Sequence, residues 1–184
     1  MPQLLVGWLV RVLPPTIHPM VVHFPIALLY VTSLAEFLAI ITRSSRRDRF
    51  LDRASFWLLT LSGVAIVAAG AAGVVSEASV HLTPTTSQML GAHQRDAVLT
   101  GFLALLAWIA QVFTFFKDTR AWSIVGSGRG RVTLVSMVLV WAATFMVSVT
   151  GHLGGTMVYQ HCLGIPTAQC TPAAAHASPA GPTH

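Results

Sequence analysis

Four apolar runs, each long enough to cross a bilayer as a helix, constrain this chain more than any other feature. They fall at about 19–42, 55–75, 94–116 and 132–151, separated by short polar stretches. A bilayer core takes about 20 apolar residues in helical form, and it demands that every backbone N–H and C=O be satisfied within the segment. The expected fold is therefore an all-α integral membrane protein, a bundle of four transmembrane helices. Composition agrees, since 54% of the 184 residues are hydrophobic and only 9% are charged, whereas about a quarter of a soluble protein is charged.

A pI near 10.3 raises the question of nucleic acid, but the basic residues form no face interleaved with aromatics. They sit in two loops. Arg43, Arg46, Arg47, Arg49 and Arg53 lie between the first and second runs, and Lys117, Arg120, Arg129 and Arg131 between the third and fourth. By the positive-inside rule both loops are cytoplasmic, which places both termini and the loop around residues 78–94 on the outer side. The charge is a topology signal, and no nucleic-acid partner is expected.

Three segments are expected along the chain. Residues 1–16 contain an apolar stretch too short to span, read as an interfacial helix anchored by Trp8, with Arg11 snorkelling and Pro14-Pro15 ending it. Residues 17–165 form the four-helix membrane domain, and the Pro/Ala-rich stretch 166–184 is a disordered outer tail. Pro19 suits a first helical turn, whereas Pro25, one to two turns further in, should kink the first span. The second span is crowded with small residues (Gly63, Ala65, Ala68, Ala69, Gly70, Ala71, Ala72, Gly73), which suits close helix packing or a flat cofactor. The stretch from His81 to Ser87 reads as an outer loop, and the fourth helix should continue past the membrane through Tyr159. Cys162 and Cys170, both in an oxidising outer compartment, are expected to form a local disulfide. No CxxCH occurs, which excludes covalent c-type haem attachment.

All eight histidines (18, 23, 81, 93, 152, 161, 176 and 184) map to the outer half or the outer tail. His18 and His23 open the first span, His93 the third, and His152 closes the fourth. An imidazole at such a level is costly unless it is partnered, so it is a functional-site hypothesis by default. His18, His23, His93, His152 and His161 are the candidate cofactor-binding residues, with His23, His93 and His152 the candidate iron ligands. His18 and His23 are separated by about 140° on an ideal helix and cannot both face one point. His23 is deeper and is the preferred ligand, leaving His18 for a propionate, a loop or a second cofactor. Among other polar residues, Glu36 is read as snorkelling to the inner surface or pairing with a loop arginine, and Arg95–Asp96 as an interfacial ion pair.

The strings HPMVVHFPIALL (His18 to Leu29) and GHLGGTMVYQH (Gly151 to His161) resemble a bacterial membrane family, the domain-of-unknown-function family twenty-two thirty-one. Its members are four-helix proteins with an HPxxVHFP opening and a GGxxVY-type closing motif. The similarity covers about 17–165, and His93, in GAHQRDAV, falls where members carry a histidine. The chain departs at HCLGI, where Cys162 replaces the glycine usual after the closing histidine, which leaves the role of His161 open. Some members are joined to Rieske-type or cytochrome-type redox modules. The resemblance thus implies an electron-transfer setting in the bacterial inner membrane, and it favours haem over other uses of imidazole.

The expected function is a membrane-embedded redox subunit that binds one or two b-type haems and passes electrons between the quinone pool and an outer-side partner. Its partners would be the lipid bilayer, other redox-complex subunits or an outer-side electron carrier. Two alternatives stay open. One is a copper- or zinc-handling protein that uses the same imidazoles with Met20, Met157 and the cysteines. The other is a non-catalytic accessory subunit of a respiratory or photosynthetic complex. No nucleophile–base pair and no nucleotide motif point to an independent enzyme.

Overall fold

In the computed structural model the described residues are 17–41, 48–80, 82–117 and 128–164. They form five helices: α1 (Ile17–Val21), α2 (His23–Ile41), α3 (Asp48–Glu77), α4 (Pro84–Lys117) and α5 (Gly128–Tyr159). Helices α1 and α2 together make the first span, so four spans cross the bundle at Ile17–Ile41, Phe50–Glu77, Pro84–Phe113 and Leu134–Tyr159. The chain is an all-α, four-span membrane protein. The expected N-terminal interfacial helix, the tail, His81, His176, His184 and Cys170 lie outside the described residues.

Packing is closest within two hairpins, the first span against α3 and α4 against α5. Without water to drive apolar surfaces together, helices in lipid associate through small residues and interhelical hydrogen bonds. The core shows both. Leu29, Leu59, Ala104, Ala107, Val140, Ala143 and Val147 form its centre. Ser33 and Thr144 share a 2.7 Å hydroxyl–hydroxyl bond, the Trp108 indole donates to Thr60 Oγ1 at 3.0 Å, and Tyr30 and Ser148 meet at 2.8 Å. Large apolar side chains such as Phe24, Leu34, Val67, Val98 and Phe145 are exposed, and they supply the surface that lipid covers.

Three sequence expectations meet the structure at helix ends. Pro25 interrupts the first span at Val22, between α1 and α2. The proline has no N–H for the Val21 carbonyl, and its ring crowds that carbonyl. The stretch read as a loop before residue 94 is instead the start of α4. Thr83 caps it, accepting from Thr86 N–H at 3.3 Å while its own N–H donates to Thr86 Oγ1 at 2.8 Å, with Pro84 at the first helical position. Helix α5 does run on through Tyr159.

Past that end, Leu163 N–H donates to the Met157 carbonyl at 3.0 Å, and Cys162 takes a left-handed backbone, φ 54°. Glycine tolerates that conformation best, so Cys162 carries a backbone cost that glycine would not. Cys162 is disulfide-bonded, and the partner expected from the sequence, Cys170, lies outside the described residues.

Candidate functional site

At the end of the bundle away from the basic loops, two imidazoles from different hairpins face each other. His18, on α1, and His93, on α4, have ring centroids 6.1 Å apart and ring planes at 84°. Each is fixed by the same device. His18 Nδ1 lies 2.9 Å from the Ala69 carbonyl on α3, and His93 Nδ1 lies 2.9 Å from the Thr150 carbonyl on α5. A carbonyl only accepts, so both Nδ1 atoms carry the proton in this arrangement and both Nε2 atoms keep a lone pair. No described residue hydrogen-bonds either Nε2.

The local sequence explains how a helix carbonyl can receive a second partner. Within α3 the Ala69 carbonyl faces the N–H of the residue four further on, Gly73, and within α5 the Thr150 carbonyl faces Gly154. A carbonyl has two lone pairs, and the side chain at that fourth position would crowd the approach to the second. Glycine clears it. A Cβ on Gly73 would lie 3.4 Å from His18 Cε1 and Nδ1, and one on Gly154 would lie 3.3 Å from His93 Cε1. Gly70 and Gly155, by contrast, face open space. The small-residue face of the second span therefore serves two ends: Ala69 and Ala72 are buried in packing, and Gly73 admits a histidine.

The helices run on past the pair. His93 is nine residues inside α4, Ala69 eight residues before the end of α3, and Thr150 nine before the end of α5. At 1.5 Å per residue these helices extend about 12–14 Å beyond the site. The remaining candidates are not brought to it. His23, His152 and His161 are exposed. Met20 is exposed as well, whereas Met157 is buried. Arg95 and Asp96 form the expected ion pair, at 3.1 Å. Among the described residues no group of three or more His, Cys, Asp or Glu side chains could hold a metal ion.

The sequence reading favoured His23 because it lies a turn deeper, although a kink at Pro25 would re-aim both side chains. With the span interrupted at Val22, α1 is free to turn His18 onto α3, and His23 faces outward. The glycines four residues after Ala69 and Thr150 were the available signal for the docking sites.

The profile of a family described as predicted membrane proteins, DUF2231, matches residues 14–167. The chain belongs to that family. The match takes in every helix described above, with His18 and His93 and both of their docking carbonyls, so the site lies within the family domain. Neither the curated proteins nor the solved structures contain a match.

Proposed function

We propose that this DUF2231 protein is a membrane-embedded b-type haem-binding redox subunit in which His18 and His93 would hold the haem iron. The observation that carries the reading is the pinning of both rings through Nδ1 to helix carbonyls on opposite hairpins. Haem and metal ligands are commonly held this way, since the Nδ1–H bond fixes the tautomer and raises the basicity of the other nitrogen.

The donor set fits haem better than a free ion. Two imidazoles on one metal, at bond lengths of about 2.0–2.1 Å, place their ring centroids roughly 6 Å apart, close to the 6.1 Å separation of the pair. A structural zinc site needs four protein ligands and a catalytic one three, and the described residues bring no such group together. A porphyrin supplies four nitrogens of its own, so two histidines complete the iron. Haem, once bound, would supply a one-electron couple; the chain's part is to hold and orient the two ligands. The copper or zinc reading gains no support from the exposed Met20.

In this reading the histidine end faces outward, as the basic loops imply, in a bacterial inner membrane. The subunit would pass electrons between the quinone pool and an outer-side carrier or partner subunit. The test is a pyridine haemochrome assay with iron analysis on chain purified from cells supplied with haem. A b-type haem near one per chain supports the proposal, whereas stoichiometric copper or zinc without iron rejects it.

A further inference from the structure

A second polar cluster lies toward the basic-loop end, and the redox reading makes no use of it. Glu36, on α2, is only 2% exposed, and it does not reach for the surface as its position near the span's end suggested. The Gln111 side-chain amide on α4 and the Ser136 hydroxyl on α5, the latter at 2.8 Å, both donate to Glu36 Oε1. Gln111 is 18 residues along α4 from His93, about 27 Å, so this cluster is separate from the histidine pair.

The two donors converge on one carboxyl oxygen, while Oε2 is buried with no hydrogen-bond partner. A carboxylate divides its charge over both oxygens and recruits donors to each, whereas a carboxylic acid has one carbonyl oxygen that accepts and one hydroxyl. Two donors on Oε1 and none on Oε2 fit an acid with its carbonyl at Oε1 better than a carboxylate. Charge argues the same way. The ion pair Arg95–Asp96 lies far from this cluster. From α3 the facing acidic group is Asp52. From α4 and α5 the facing groups are the neutral amide and hydroxyl. An unpaired carboxylate inside the bilayer would cost several kcal/mol.

We propose that Glu36 is a proton-carrying carboxyl inside the membrane. It is held as the neutral acid, with its carbonyl at Oε1 and its hydroxyl at Oε2, and it exchanges its proton with water at the basic-loop end. On release the O–H bond at Oε2 breaks, the proton passes to a water molecule as hydronium, and the negative charge stays on the carboxyl, where Gln111 and Ser136 still donate. Uptake is the reverse. Glu36 lies five residues from the end of α2, about 7 Å, so the nearer aqueous phase is the one at the basic loops.

The chain has two glutamates, Glu36 and Glu77, which makes the site open to infrared spectroscopy. Full-length Glu77→Gln chain carrying 13C-labelled glutamate, in lipid vesicles, reports Glu36 alone, with no substitution at the site. The expected result is an isotope-shifted carboxylic-acid C=O band at neutral pH that gives way to a carboxylate band as the pH is raised. Dicyclohexylcarbodiimide, which attacks protonated carboxyls in apolar surroundings, should label the wild-type chain at Glu36 and leave Glu36→Gln unlabelled at that position. A labelled carboxylate band at neutral pH overturns the proposal. So does an acid band that never titrates, because Glu36 would then carry no exchangeable proton. Both readouts are independent of haem content.

Discussion

His18 and His93 stand with their rings at 84° and their centroids 6.1 Å apart, each tied through Nδ1 to a carbonyl on the helix that completes its own hairpin. The two hairpins therefore present matching imidazoles to the seam between them, and neither ring can turn without losing its hydrogen bond to a helix carbonyl. In double-mutant cycles such bonds between membrane helices average about 0.6 kcal/mol. Their larger value here is orientation.

The glycine positions separate docking from general packing. Gly154→Ala should displace the His93 ring, because the added Cβ meets Cε1 at 3.3 Å, whereas Gly155→Ala adds its Cβ to open space. Outer-shell changes of this kind cost metal sites about 10–100-fold in affinity. In haem titrations of the purified chain, Gly154→Ala should weaken binding by about tenfold or more, and Gly155→Ala should bind as wild type. Gly73→Ala and Gly70→Ala form the corresponding pair for His18, with a smaller effect.

Core packing supplies an independent measure of the fold. Ala107 and Ala143 are both fully buried, where small side chains let the helix backbones approach. Ala143→Leu overfills that contact and should destabilise the bundle by about 1–3 kcal/mol, read as a lower midpoint of unfolding in detergent. The same change at an exposed position, Ala71→Leu, should be neutral.

The charge of the two basic loops implies an orientation that fusions can test. A reporter fused near Ser45 should read as cytoplasmic and one fused after Cys170 as outer, since the arginines and lysine of both loops favour the cytoplasmic side. Reversed readouts would put the histidine pair on the cytoplasmic face and require a different electron partner.

Much of this architecture is legible in the residues themselves. Spans of 25 to 30 residues follow from apolar length, because the bilayer fixes that length. The start of α4 was hidden because a polar Ser/Thr/Pro stretch resembles a loop. Its signature was Thr83-Pro84 followed by Thr86, a cap and a first-turn proline. The choice between His18 and His23 was not legible, because an ideal helix says only that they diverge by about 140°. The interruption that Pro25 causes at Val22 decides which one turns inward. The Glu36 cluster was missed for another reason: a carboxyl near a helix end usually snorkels. Only the tertiary fold brings Gln111 and Ser136 onto it, from 75 and 100 residues away in sequence.

The most direct test of the central claim is the electron paramagnetic resonance spectrum of the ferric, haem-loaded chain, compared across single histidine substitutions. Wild type should give a low-spin bis-imidazole signal. His18→Ala and His93→Ala should each convert it to high spin or lose the haem, because one axial bond is removed. His23→Ala, His152→Ala and His161→Ala, at exposed positions, should leave it unchanged. A low-spin signal that survives both His18→Ala and His93→Ala, but is lost in His23→Ala or His152→Ala, would contradict the assignment.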